Sequence, residues 1–78
     1  MPESLRRMAS GKTAIVTAVT ATGEIGRRLR DMGLSPGTEI KILGRAPLKD
    51  PVSIRLRNYT LTLRNNEADY IMVKKAGE

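Results

Sequence analysis

The alternation of apolar and polar residues along the chain predicts a protein built mainly of short β-strands. The first such segment, TAIVTAV, is β-branched and apolar, which favours a buried strand over a helix. The later segments alternate strictly, which is typical of strands buried on one face. The five predicted strands cover residues 13–19, 38–43, 52–57, 60–64 and 70–73.

One helix is predicted between the first two strands. Three apolar residues share one of its faces at the spacing i, i+4 and i+7: Ile25, Leu29 and Met32. Gly33 stands where a helix ends in a left-handed residue, and Leu34 can fold back onto Leu29 as the apolar contact of a Schellman cap. Residues 35–38, Ser-Pro-Gly-Thr, then predict a type II turn.

These elements predict a mainly β fold, a small and partly open barrel of about five strands with one short helix after the first strand. The 78 residues suffice for one domain, over 1–78, with a lead-in at 1–10 and a flexible tail at 74–78. The predicted core is aliphatic throughout: Ile15, Val16, Val19, Ile25, Leu29, Met32, Leu34, Ile40, Ile42, Val52, Ile54, Leu56, Leu61, Leu63, Ile71 and Val73.

The inventory of reactive side chains argues against catalysis. The chain has neither cysteine nor histidine, so the best nucleophile and the commonest general base are missing. We therefore predict no catalytic residue, no cofactor and no dedicated metal site, with Glu67 and Asp69 as weak metal candidates because two carboxylates without histidine bind a cation poorly. The absence of cysteine also fits a reducing cytoplasm.

The formal charge of +6 favours anionic partners, but it serves solubility equally well. Arg55, Arg57 and Arg64 can track phosphates. Because nucleic-acid modules of this size usually stack bases on aromatic side chains, the scarcity of aromatics favours a solvated sheet face instead. No apolar run approaches the roughly 20 residues needed to cross a bilayer.

Four segments in order resemble the FeoA family: GEIGRRLRDMGLSPGTEI at 23–40, RAP at 45–47, DPV at 50–52 and LTLRNNEA at 61–68. The resemblance implies an SH3-like β-barrel in the bacterial cytoplasm that acts as an accessory of ferrous iron uptake. The implied partner is FeoB, a membrane iron transporter with a cytosolic GTPase domain. The same fold serves as the C-terminal domain of iron-dependent repressors similar to the diphtheria-toxin repressor.

A non-enzymatic adaptor is the leading hypothesis, and its oligomeric state is left open. The expected partner-binding residues are Arg27, Arg28, Arg30, Leu34, Arg45, Leu48 and Lys49. The alternative for the helix arginines is the solvent side of an amphipathic helix, and for Leu34 a place in the core. The alternative function is a metal-linked regulatory or nucleic-acid-binding domain related to the repressors, although no helix-turn-helix accompanies it.

Overall fold

The computed structural model describes residues 3–48 and 50–76. Within them the chain forms six strands and two helices, and a 3₁₀ turn over Leu5–Arg7 follows the first strand. The elements are β1 (Glu3–Ser4), β2 (Thr13–Val19), α1 (Gly23–Asp31), β3 (Glu39–Arg45), β4 (Val52–Leu56), β5 (Tyr59–Leu63), α2 (Asn65–Ala68) and β6 (Ile71–Lys75).

Over the described part of the chain the strands make one antiparallel sheet in the order β1-β6-β2-β3-β4-β5. The register shifts between Val16 and Ala18 in β2 and between Ile42 and Gly44 in β3. Such irregularities bend and twist a sheet, and here they curl it around its apolar face. The sheet does not close, since β1 and β5 remain its edges. The predicted mainly β, partly open architecture is confirmed, with β1 as an additional strand.

The end of α1 follows the predicted Schellman geometry. The Leu34 amide donates to the Leu29 carbonyl at 3.2 Å, and the Gly33 amide donates to the Arg30 carbonyl at 2.9 Å. Gly33 has a φ of +99°, a conformation that a side chain disfavours. The turn over residues 35–38 also closes as predicted, with a 3.1 Å bond from its last amide to its first carbonyl.

The buried face of α1 differs from the prediction. Leu29 is fully buried, but Ile25 is 47% exposed. The second buried residue of the helix is Gly26, whose missing side chain lets the helix backbone approach the carbonyl of Ala21. The buried side of the helix is therefore formed by Gly26 and Leu29 rather than by Ile25 and Leu29.

The core is aliphatic, as predicted, but it also uses the N-terminal segment. Leu5 and Met8 are buried, so the expected lead-in at 1–10 contributes to the core. Ile15, Val19, Met32 and Leu61 from the predicted set are only partly buried. The buried residues are Leu5, Met8, Ala14, Val16, Ala21, Leu29, Leu34, Ile40, Ile42, Val52, Ile54, Leu56, Leu63, Ala68, Ile71 and Val73.

The structure differs from the expected flexible tail at 74–78 in its first two residues. Lys74 and Lys75 belong to β6 and pair with Ile15 and Ala14 of β2. The reason is that pairing with a neighbouring strand satisfies their backbone groups, whatever their side chains prefer. Gly77 and Glu78 lie outside the described residues.

Candidate docking surface

The arginine-rich side of α1 faces solvent, because Gly26 and Leu29 take up the buried side. Arg27, Arg28 and Arg30 are all exposed, as the sequence predicts. Arg28 forms an ion pair with Glu67 and so ties α1 to α2. Arg27 and Arg30 lie three residues apart, where helix side chains are neighbours, and no side-chain bond to the described residues is recorded for either.

A shallow cleft of about 340 Å³ separates α1 from α2 and the residues that follow β5. Ile25 and Tyr70, 47% and 39% exposed, supply apolar surface, and two arginines stand at the rim. The Arg64 backbone N–H donates to Glu67 Oε1 at 3.0 Å, which anchors the carboxylate that Arg28 meets. The lining residues are Ile25, Arg28, Arg64, Asn66, Glu67 and Tyr70. This combination of apolar floor and cationic rim suits contact with a partner protein.

Among the described residues that were predicted to bind a partner, Arg28 lines this cleft, whereas Arg27 and Arg30 lie outside it. Leu34 is fully buried, in its alternative role as core and cap. Leu48 is 91% exposed in the loop between β3 and β4. Lys49 lies outside the described residues. The cleft is instead lined by Tyr70 and Ile25. No pattern in the sequence indicates Tyr70 as a binding residue, and the spacing of Ile25 predicts a place in the core.

Arg45 has an intramolecular role. Its guanidinium Nη2 donates to the backbone carbonyls of Arg6 at 2.6 Å and Met8 at 2.7 Å, and it lies 3.4 Å from that of Leu5. These carbonyls belong to the 3₁₀ turn and the residue after it, and two of the three contacts are partly buried. Arg45 thus fastens the N-terminal turn to the end of β3, which leaves fewer of its donors for a partner.

The two carboxylates named as weak metal candidates are both engaged with arginines. Asp69 meets Arg6 at 3.0 Å, and Glu67 meets Arg28. Over residues 3–48 and 50–76 there is no group of three or more histidine, cysteine or acidic side chains placed to hold a metal ion. A cation at Glu67 or Asp69 would have to displace an arginine first.

Membrane crossing by a helix finds no support in the part of the chain that the structure describes. None of its helices is long and apolar enough to span a bilayer.

The fold and this surface define a small β domain of the SH3-like class with a basic helix on one side. The model of the FeoA domain family matches residues 3–75, and the chain belongs to that family.

Comparison with individual proteins agrees with the family. Over 70 residues the chain is 33% identical to the Fe(2+) transport protein A/Fe(2+) transporter FeoB fusion protein of Porphyromonas gingivalis. The match covers 90% of this chain but only 8% of that much longer relative.

Solved structures show the same fold. The FeoA-like protein of Clostridium acetobutylicum is 36% identical with a TM-score of 0.89, over 99% of this chain and 90% of that one. FeoA of Stenotrophomonas maltophilia complexed with zinc, described as a procaryotic SH3 domain protein, is 27% identical with a TM-score of 0.80, over 91% of this chain and 88% of that one. A manganese-dependent transcriptional repressor, 21% identical with a TM-score of 0.85, matches 95% of this chain and 41% of its own, and this likeness supports the fold.

Proposed function

We propose that this domain is a non-enzymatic accessory of ferrous iron uptake that docks on the cytosolic side of a FeoB-type membrane transporter. The observation that carries the proposal is the fusion relative from Porphyromonas gingivalis, whose name joins transport protein A and FeoB in one polypeptide. A covalent link raises the effective concentration of one binding module near the other, so it is advantageous where the two components act together. A cytoplasmic location follows from this proposal.

The helix surface supplies the contacts that such docking needs. Arg27 and Arg30 of α1 are exposed, and neither side chain makes an ion pair with the described residues, so both charges are available to an acidic patch. Ile25 and Tyr70 in the neighbouring cleft add exposed apolar surface. Complementary charge accelerates association and fixes orientation, while burial of the apolar pair supplies affinity.

The test is a titration of the purified domain against the detergent-solubilised transporter of the same organism, at low and at high salt. We expect binding that weakens with salt, because rim charges are screened. The double variant Arg27→Glu/Arg30→Glu should weaken the affinity by about tenfold or more, which corresponds to about 1.4 kcal/mol.

The matched control is Arg55→Glu/Arg57→Glu, which changes the net charge equally on a different face of the domain. This variant should bind the transporter nearly as well as the unmodified domain. No binding at low salt by the unmodified domain contradicts the docking proposal. An equal loss in both double variants contradicts the assignment of the contact to α1.

A further inference from the structure

Two cations face each other across strands β3 and β4 on the outer side of the sheet. Lys41 and Arg55 are register partners, and both are exposed. Arg57 follows on the same side of the chain just past the end of β4. Like charges directly opposite each other destabilise a sheet. These three side chains make no hydrogen bond or salt bridge to the described residues, so their repulsion is not offset within that part of the domain and a bound anion would relieve it.

The three cations border a shallow depression of about 270 Å³. Thr13 adds a hydroxyl donor next to Lys41, its register partner on β2. Glu39 is the one carboxylate at this depression. The lining residues are Thr13, Glu39, Ile40, Lys41, Arg55 and Arg57. The balance of charge therefore favours a phosphate-type group.

Two exposed aliphatic side chains lie beyond Lys41 along the chain, one on β3 and one in the loop that follows it. Leu43 is on the same strand and side as Lys41, two residues further along, and is 44% exposed. Leu48, in the loop that β3 leads into, is 91% exposed. Cationic and aliphatic side chains together suit the interface between lipid headgroups and acyl chains.

A nucleic acid fits this face less well. Tyr59 pairs with Leu56, a buried residue, and its hydroxyl donates to the Met32 carbonyl at 2.7 Å on the side of α1. Tyr59 lines an adjoining pocket together with Arg57, but this bond ties its ring to the end of α1, and the described residues that line the depression itself include no aromatic ring on which a base could stack.

We propose that this outer surface, formed by Lys41, Leu43, Leu48, Arg55 and Arg57 and called here the lipid face, binds anionic phospholipid headgroups at a membrane surface. It is distinct from the docking surface, which consists of the exposed arginines of α1 and the cleft between α1 and α2. The side chain of Leu29 in α1 is buried in the core, on the inner side of the sheet, whereas Lys41 and Arg55 point to the outer side. The lipid face goes beyond the docking proposal, because it needs no transporter to act.

The test is co-sedimentation of the purified domain with vesicles of phosphatidylcholine that contain phosphatidylglycerol. We expect binding that rises with the phosphatidylglycerol fraction and falls with salt, with little binding to phosphatidylcholine alone. The variant Arg55→Glu/Arg57→Glu should lower the partition coefficient by about tenfold or more, since each basic residue near an anionic surface contributes measurably. Leu48→Ser should lower it several-fold without changing the circular dichroism spectrum.

The variant Arg27→Glu/Arg30→Glu is the matched control, because it changes the net charge equally but on α1. Its partition coefficient should stay close to that of the unmodified domain. An equal loss in both double variants would refute the lipid face in favour of diffuse charge. The proposal also fails if inorganic phosphate perturbs the Arg55 amide signal while vesicles do not bind, or if duplex DNA binds more tightly than the vesicles. The vesicle assay contains no transporter, so a negative result there does not contradict the docking proposal. A negative titration against the transporter likewise does not contradict the lipid face.

Discussion

Replacing Gly26 with alanine tests what positions α1. Glycine within a helix normally lowers its stability, and replacing it with alanine stabilises the helix by about 1 kcal/mol. At Gly26 an added Cβ would overlap the carbonyl oxygen of Ala21 and lie 2.9 Å from its carbonyl carbon. The obstacle is backbone, so it cannot rotate away as a side chain would. We therefore expect Gly26→Ala to destabilise the domain.

The magnitude follows from two opposing effects. Overpacking of a tight contact typically costs about 1–3 kcal/mol, and a rigid backbone neighbour places Gly26 toward the upper end. Subtracting the gain in helix propensity leaves a net destabilisation of about 1–2 kcal/mol. In a domain of this size, that lowers the melting temperature by roughly 5–15 °C.

The assay is thermal unfolding followed by circular dichroism, with urea unfolding as a second measurement. Gly44→Ala is the matched control, because a Cβ there meets nothing within 4 Å and its φ is not positive. Its stability should stay within about 0.5 kcal/mol of the unmodified domain. If Gly26→Ala is as stable as Gly44→Ala or more stable, the close approach of α1 to Ala21 does not position the helix and the reasoning is wrong.

Three further changes can be measured by urea unfolding. Arg45→Met removes the donors to the Arg6 and Met8 carbonyls and should lower the free energy of unfolding by about 2–3 kcal/mol. Arg45→Lys should lower it by less, and an unchanged stability of Arg45→Met would mean that water satisfies these carbonyls. Tyr59→Phe loses the bond to the Met32 carbonyl and should cost about 0.5–1 kcal/mol, since the ring is partly exposed; a larger loss would indicate that the ring itself had moved. Leu48→Ala should change stability by less than about 0.5 kcal/mol, and a greater change would place Leu48 in the core.

Local patterns in the sequence predict most of the fold, because they depend on neighbouring residues. The glycine and leucine that end α1 and the Pro-Gly turn after it form as expected, since both are short-range hydrogen-bonded structures. The orientation of α1 was predicted incorrectly for a different reason. Apolar periodicity gives weight to Ile25 and none to Gly26, yet Gly26 is the residue that the structure buries, against the carbonyl of Ala21. The contact at Gly26 is made with Ala21, which precedes the helix, so the spacing of apolar residues within the helix does not predict it.

The burial of the N-terminal segment is likewise not predicted by local patterns in the sequence. Leu5 and Met8 lie outside any regular pattern, and they are buried because β1 pairs with β6 and Arg45 binds the carbonyls of the turn. These contacts join residues about forty to seventy positions apart, so local sequence does not reveal them. The candidate docking surface is predicted in part. The helix arginines are where their spacing puts them, but Tyr70 reaches the cleft through the tertiary fold alone.

The structure also divides the basic residues by what their side chains contact, which composition alone cannot do. Of fourteen basic residues, Arg6 and Arg28 neutralise carboxylates and Arg45 binds backbone carbonyls, so these three help to stabilise the fold. Two other groups stay exposed, one on α1 and one on the outer side of β3 and β4. The two proposed contacts use different residues, so simultaneous binding of a partner protein and a membrane surface is a consequence of the two proposals taken together. Two weak contacts made at once bind more tightly than either alone, so a domain that made both proposed contacts would bind a membrane-embedded partner more tightly than through the docking contact alone.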